Sequence, residues 1–304
     1  MRQAKLSDLD KMQEGGASET SDSVSYDAGG CFVQQKKLVI VRGGGDIATG
    51  TIMKLYKCGF SVLVLEAEHP SAIRRKVAFS EAVYQGTQQV EDVTCYLAAA
   101  IDEACRMLEQ GKLVMLVDPA GASIESLRPF AVVDGILAKR NLGTRKSMAP
   151  ITIALGPGFE AGVDVDAVIE TKRGHRLGRV IYEGSAAPNT GIPGIIGGYG
   201  AERVIHSPAK GILRNVCKIT DNVSKGQLIA YIETDTENVP VYASLDGILR
   251  GLIRDNYPVT AGFKIADIDP RVGEYDNCFT ISDKARCIAG GVLEAILYLW
   301  TVSD

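Results

Sequence analysis

Residues 38–66 place a strand, a glycine turn, a helix and a second strand in direct succession, and no other segment constrains the fold as strongly. Leu38–Val41 is an apolar run typical of a strand that is buried on both faces of a parallel sheet. Asp46 is placed to cap a helix, and Gly59 is placed to end it. Because Ser61–Leu65 then forms a second buried strand, the segment predicts a strand–helix–strand unit.

The glycines between the first strand and the helix match the dinucleotide-binding pattern G-x-G-x-x-G/A. In that pattern the first glycine allows a tight turn, the second admits a pyrophosphate against bare backbone, and a small third residue lets helix and strand pack closely. Amides at the helix start face the anion, and an acid about twenty residues further on binds the ribose hydroxyls. The predicted cofactor contacts are Gly43, Gly44, Gly45, Asp46, Ala48 and Glu66. The alternative is an α/β domain that keeps the turn without a ligand.

The form of an NAD(P) cofactor depends on the charges near the second strand. Glu66 favours NAD because a carboxylate repels a 2′-phosphate. Arg74, Arg75 and Lys76 would instead contact the 2′-phosphate of NADP. Since the acid stands at the expected position, the sequence favours NAD.

Strand and helix patterns continue to alternate after this unit. Residues 91–111 carry apolar residues at helical spacing, and strands are predicted at 112–118, 131–137 and Ala149–Gly156. The alternation predicts a Rossmann-like parallel sheet domain over residues 37–204. The preceding residues, 1–36, are rich in Ser, Asp and Gly and are predicted to form a mobile tail.

The overall composition excludes several classes of function. A formal net charge of −4 and a pI near 5.6 argue against a nucleic-acid partner. Seven cysteines, an odd number without regular spacing, suit a reducing cytosol. The longest apolar stretch, Ile288–Val302, contains Glu294 and is short for a bilayer. We therefore expect a cytoplasmic protein with no membrane partner, and a homo-oligomer is compatible with this composition.

An internal repeat lies in the second half of the chain. Residues 207–232 align without gaps on residues 243–268, with nine identities that include Gly-Ile-Leu-Arg in both copies. Two copies are too few for a solenoid, so they are predicted to complete one another's core as halves of a small β-structure.

Residues 205–270 resemble the biotinyl/lipoyl barrel-sandwich domain, and the run IETDTENVPVYASLDGIL carries the resemblance. In that family an ETDK turn presents the lysine that is modified. Here the turn ends in Thr236, so no amine stands at that position. The resemblance implies the fold without covalent lipoyl or biotin.

From about Lys37 to its end, the chain is similar to the YqeB family. The similarity lies in long runs, among them RGGGDIATG, IRRKVAFSEAVYQG, VDGILAKRN, ALGPGFEAGVDVDAVIETKRGHRLGRVI, PNTGIPG and FTISDKARCIAGGVLEAIL. Members of the YqeB family are accessory proteins of the selenium-dependent molybdenum hydroxylase system. The first half also resembles the XdhC-type maturation factors of molybdenum hydroxylases.

The resemblance implies a maturation factor that binds a nucleotide or the molybdopterin dinucleotide and helps to modify or deliver that cofactor. Its partner would then be a molybdenum hydroxylase or the cofactor itself. Two alternatives stay open: an NAD(P)-dependent oxidoreductase and a non-catalytic docking scaffold. The resemblance does not decide whether the chain catalyses a reaction.

A basic loop and a cysteine-containing segment are further candidate sites. Lys172, Arg173, His175 and Arg176 follow one another in an otherwise acidic chain. Arginine matches phosphate geometry with paired donors, so the loop is predicted to bind an anionic substrate. The alternative is a solvated loop paired with nearby acids.

Cys278 is a candidate nucleophile or chalcogen carrier because Lys284 is close to it in sequence. The alternative is an inert, buried thiol. No spacing typical of a metal site is visible. Residues 271–304 are predicted to end in an apolar-faced helix that packs back on the first domain or on a second subunit.

Overall fold

The predicted strand–helix–strand unit opens the part of the chain that the structure describes. The computed structural model describes residues 37–189, 191 and 194–303. Strand β1 (Leu38–Arg42) leads into helix α1 (Asp46–Lys57), and strand β2 (Ser61–Glu66) then pairs with β1 in parallel. The predicted tail, residues 1–36, lies outside the described residues.

Nine strands form one large sheet. After β2 come α2 (Ala82–Gln85), β3 (Thr87–Val90), β4 (Val93–Ala98), α3 (Ile101–Glu109), β5 (Leu113–Val117), α4 (Ser123–Leu127), β6 (Ala131–Asp134), β7 (Ile151–Leu155), β8 (Ala167–Ile169) and β9 (Val180–Ile181). The order across the sheet is β3-β4-β5-β2-β1-β6-β7-β8-β9. Strands β4 to β8 in this order pair in parallel, whereas both edge strands, β3 and β9, are antiparallel to their neighbours.

The predicted fold class is therefore wrong for the first part of the chain. A Rossmann-like domain has a parallel sheet, but this sheet is mixed because a β3–β4 hairpin forms one edge and β9 forms the other. Residues 91–111, predicted as helical, contain strand β4 before helix α3 begins. Val93 and Cys95 are buried on one face of β4, so burial at a period of two outweighs the helical spacing.

The repeat region forms two smaller sheets. Its strands are β10 (Val204–His206), β11 (Gly211–Asn215), β12 (Asn222–Val223), β13 (Leu228–Glu233), β14 (Asn238–Tyr242), β15 (Gly247–Leu252), β16 (Pro258–Val259) and β17 (Lys264–Asp269). One sheet has the order β10-β17-β15-β12, the other β14-β13-β11-β16, and all pairs are antiparallel. The short strands β12 and β16 each pair with a strand of the other copy, so the two copies complete one another.

This topology also corrects the second half of the fold prediction. The prediction of a small lipoyl-like barrel-sandwich domain is wrong, and the region consists of two four-stranded antiparallel sheets. The buried residues of both sheets, among them Leu213, Ile232, Leu249 and Ile268, form one core. The molecule is best described as a mixed nine-stranded α/β sheet followed by two antiparallel sheets.

Helix α5 (Asp283–Ser303) ends the described chain and lies against α1 and strands β7 to β9. The approach to α1 is close, since a Cβ on Gly50 would lie 2.8 Å from the Cβ of Ala285. Ile288, Val292 and Ile296 are fully buried in the core of the large sheet. By length and composition α5 also meets the criterion for a membrane span, as core helices of soluble proteins do.

Candidate functional site

The predicted dinucleotide turn makes hydrogen bonds to other parts of the protein. The backbone N–H of Gly44 donates to Glu66 Oε2 at 2.7 Å, and the N–H of Ala67 donates to Oε1 at 2.7 Å. Both oxygens of Glu66 therefore hold the turn. The N–H of Ser80, from a segment after β2, donates to the carbonyl oxygen of Gly44 at 2.9 Å.

Two of the three glycines at this turn are crowded by other parts of the protein. A Cβ on Gly44 would meet Met115 Cε at 2.8 Å, and a Cβ on Gly43 would meet Ile136 Cα at 3.0 Å. Ala48 is fully buried. Burial raises the pKa of Glu66, while its two backbone N–H donors act in the opposite direction. The carboxylate of Glu66 thus has a structural role at the turn, and its predicted contact with ribose hydroxyls stays a prediction.

The first residues of α1 open onto a different space, a cleft of about 720 Å³. Gly45 caps the helix without a side-chain hydrogen bond, and its Cβ position faces no atom within 4 Å. Asp46 lines the cleft, and one of its carboxylate oxygens lies 3.8 Å from a guanidinium nitrogen of Arg74. Of the predicted cofactor contacts, Asp46 is therefore the residue that the structure places in an open site.

Positive side chains surround this cleft in an acidic protein. We call it the cationic cleft. Its cations are Arg74, Arg173, Arg203, Arg250, Lys264, Arg271 and Lys284, and its lining carboxylates are Asp46, Asp267 and Asp283. They come from the segment after β2, from the basic loop, from β15 and β17, from the residues just before β10 and just after β17, and from the starts of α1 and α5. Charges that are far apart in sequence are thus concentrated at one place.

Three arginines of the cationic cleft are held by two buried carboxylates on β17. Asp267 accepts hydrogen bonds from Arg203 at 2.9 Å and from Arg250 Nε at 2.9 Å. Asp269 accepts from Arg250 at 3.1 Å and from Arg271 at 2.9 Å. Burial would raise the pKa of Asp269, but hydrogen bonds from Arg271 and the charge of Arg250 hold that pKa below its usual value. The network fixes this wall in one geometry.

Two lysines differ from the arginines because their ammonium groups have no hydrogen-bond or ion-pair partner in the part of the chain that the structure describes. Lys264 begins β17, and Lys284 lies in the first turn of α5. Burial among the walls of the cleft lowers the pKa of both side chains. Solvent in the open cleft still reaches Lys264.

The basic loop is divided between two pockets. Arg173 makes a bidentate ion pair with Asp283, at 2.8 and 3.0 Å, and thereby lines the cationic cleft. This pair lowers the pKa of Asp283 to about 2. Lys172, His175 and Arg176 are exposed and line a neighbouring pocket of about 710 Å³. The structure therefore brings one of the four predicted anion-binding residues into the cationic cleft.

The two candidate catalytic residues, Cys278 and Lys284, lie in different environments. Cys278 is 2 % exposed and lies in the core of the two small sheets. Burial raises the pKa of its thiol, although Arg250 and Arg74 act in the opposite direction. A buried thiol with a raised pKa is a poor nucleophile, which argues against the predicted reactive role. Lys284, in contrast, lines the cationic cleft.

Several residues of the cleft escaped the sequence analysis, although the repeat contains a signal for two of them. Lys264 and Asp267 stand where the first copy has Leu228 and Tyr231, 36 residues earlier. Within an otherwise apolar pattern, such a change to charged residues marks a strand with a different environment. Groups of three or more potential metal ligands are absent from the described residues.

One curated protein gives a clear sequence match. The chain is 52% identical over 263 residues to the uncharacterized protein YqeB of Escherichia coli (strain K12). The match covers 86% of this chain and 48% of YqeB, so the chain spans about half the length of that relative. No family model matches the chain.

The solved structures that match are only distantly similar. The product-bound ectoine utilization protein EutE (DoeB) of Ruegeria pomeroyi is 10% identical with a TM-score of 0.25, over 77% of this chain and 85% of that protein. A succinylglutamate desuccinylase/aspartoacylase of Rhodobacter sphaeroides is 12% identical with a TM-score of 0.26, over 77% and 85% of the two chains. The first is named as an ectoine utilization protein and the second as a desuccinylase/aspartoacylase. They do not belong to the Rossmann, lipoyl-like or molybdenum cofactor maturation classes predicted from the sequence, and at these TM-scores they do not define the fold either.

Proposed function

Since a relative that is 52% identical supports placing this chain in the YqeB family, we propose that it binds a phosphate-bearing small molecule in the cationic cleft. The ligand would be a nucleotide or a pterin dinucleotide. The proposed physiological role is that of an accessory protein of a selenium-dependent molybdenum hydroxylase. Support for this role comes from the sequence runs shared with the YqeB family, while support for the ligand class comes from the cleft.

The observation that carries the proposal is the concentration of cations around one open volume. Five arginines and two lysines line a cleft of about 720 Å³ together with three carboxylates. Arginine binds phosphate oxygens with paired donors, and lysine adds a compact positive charge. Burial among the walls strengthens such contacts because the local dielectric constant is lower than that of water. The volume is in the range of small-molecule sites.

The sequence analysis left two alternative functions open, an oxidoreductase and a docking scaffold. An NAD(P)-dependent oxidoreductase would use the glycine turn, where Gly44 already donates a hydrogen bond to Glu66 and accepts one from Ser80. A docking scaffold needs no ligand, so failure to bind any phosphate compound would favour it. The cationic cleft favours a ligand-binding protein over both.

Calorimetric titration with pyrophosphate tests the proposed ligand class. We expect binding that weakens with added salt, because the contacts are ionic. The double variant Lys264→Gln, Lys284→Gln should bind at least about tenfold more weakly, since each lost charged contact is worth about 1.5 kcal/mol or more. The matched control, Lys218→Gln with Lys225→Gln, changes two exposed lysines outside the cleft and should bind as the wild type does. Equal loss in both double variants, or no binding by the wild type, would refute the proposal.

The physiological role is tested separately in cells. Selenium-dependent hydroxylase activity should fall in cells that lack the chain and return with the wild type or the surface control variant. If the cleft variant restored activity fully, the cleft would have no part in the accessory role.

A further inference from the structure

Two positive charges of the cationic cleft are not neutralised by any contact. Each arginine of the cleft has at least one carboxylate within 4 Å. Lys264 and Lys284 have neither a hydrogen bond nor an ion pair within the described ranges. The cleft therefore contains two ammonium groups whose donors are free to bind a ligand.

The two lysines come from different elements and share one neighbour. Lys264 belongs to β17, whereas Lys284 belongs to α5. Both lysines and Asp46, at the start of α1, line the same cleft, and the carboxylate of Asp46 raises the pKa of both ammonium groups. Asp46 makes only a long contact of 3.8 Å, to Arg74. A negative ligand group between the lysines thus displaces no strong ion pair.

The first copy of the repeat shows that the charge on β17 is not needed for the fold. At the position of Lys264, β13 has Leu228, which is 38 % exposed. The Arg-carboxylate pair recurs in both copies, as Arg214 with Glu233 and as Arg250 with Asp269. The second copy of the repeat, which lines the cleft, therefore has an unpaired lysine where the first copy has a leucine.

We infer that Lys264 and Lys284 together bind a terminal phosphate monoester, a group that carries two negative charges at neutral pH. A phosphodiester, and each phosphate of a dinucleotide bridge, carries one. The inference rests on the proposed function and narrows it to compounds that end in a phosphate, such as nucleoside monophosphates or a phosphorylated pterin. Two separate ammonium groups match the charge of the monoester and can approach different oxygens of it.

A pair of small probes tests this inference directly. Methyl phosphate and dimethyl phosphate are both small enough for the cleft, but at neutral pH they carry two and one negative charges. Both are titrated against the protein loaded with pyrophosphate, and the displacement is measured by calorimetry. Methyl phosphate should displace pyrophosphate about tenfold more effectively, since one charged contact is worth about that factor.

Single variants assign the preference to the two lysines. Lys264→Met and Lys284→Met should each reduce the preference for methyl phosphate to about twofold or less, while Lys225→Met should keep it. Circular dichroism and thermal melting establish that each variant is folded. Lys264→Leu, which restores the residue of the first copy, is a second variant at that position.

The outcomes separate the two proposals. If pyrophosphate binds but the two probes displace it equally, or if neither displaces it, the inference fails and the proposed function stands. If pyrophosphate does not bind, the proposed function fails and the inference with it. A preference for methyl phosphate that survives both lysine variants would also overturn the inference.

The pH dependence gives an independent signature. The second ionisation of a phosphate monoester has a pKa near 6, so its affinity should rise between about pH 5 and 7. Dimethyl phosphate keeps the same charge over this pH range. The pH dependence of its affinity therefore measures every effect that does not come from ionisation of the ligand. His206 is a neighbour of Lys264, with which it pairs across β10 and β17. The other charged groups that act on the two lysines are Asp46, Glu170, Arg173, Arg203, Arg250, Asp267 and Asp283. A flat ratio of the two affinities across this range would contradict the inference.

Discussion

Glu66 and Lys264 show what individual residues reveal before the fold is known. The sequence pattern placed Glu66 correctly at the end of β2 beside the glycine turn. Its role could not be read from spacing, because the segment that contributes Ser80 closes over the turn from further along the chain. In the sequence, Lys264 is only a charged residue within a strand. Its role depends on α5, which begins nineteen residues later. Tertiary neighbours decide both roles.

The repeated Arg-carboxylate pair allows a matched prediction at single residues. Arg250→Met leaves Asp267 and Asp269 buried without the guanidinium between them, and we expect the free energy of unfolding to fall by about 3 kcal/mol. Arg214→Met removes the counterpart with Glu233 in the first copy, and the expected loss is much smaller because water screens this pair. Urea denaturation of both variants measures the difference. Equal losses would mean that the buried network contributes no more than a surface pair.

At the scale of elements, helices and strands with one strong pattern were predictable, and edges of the sheet were not. The unit β1–α1–β2 and helix α5 lie where their apolar periodicity places them. The β3–β4 hairpin was missed because residues 93–98 satisfy a helical spacing as well as a strand pattern. Strand β9 is two residues long, too short to leave any pattern. The cationic cleft was unpredictable for a related reason, since it needs the loop, two sheets and a helix together.

Because α1 and α5 are in contact, glycine-to-alanine substitutions at two positions of these helices should change the stability in opposite directions. Glycine to alanine in a helix interior normally stabilises by up to about 1 kcal/mol. Gly290→Ala on α5 should do so, because its Cβ would meet no atom within 4 Å. Gly50→Ala on α1 should instead destabilise by about 1–3 kcal/mol, since its Cβ would lie 2.8 Å from the Cβ and carbonyl oxygen of Ala285. Thermal denaturation measures both, and a gain at Gly50 would show that the helices are not in close contact.

For the whole molecule, paired carboxylates determine how stability responds to acid. The pKa of Asp283 is lowered to about 2 by Arg173, and the pKa of Asp269 is lowered as well. A carboxylate whose pKa is lower in the folded state stabilises the fold above its unfolded pKa, near 3.9, and this contribution is lost as the pH falls through the folded value. Glu66 and Asp134 act in the opposite direction, because burial raises their pKa values.

Arg173→Gln isolates the contribution of one of these pairs. Because Asp283 is 74% exposed, water screens the pair, and the expected loss of unfolding free energy at pH 7 is under about 1 kcal/mol. The difference between wild type and variant should stay constant from pH 7 to about 5 and then shrink towards zero as the pH falls from about 4 to 2. Urea denaturation at a series of pH values measures this difference. A difference that persisted at pH 2 would mean that Arg173 stabilises the fold through contacts other than the charge of Asp283, such as its packing against Gly194.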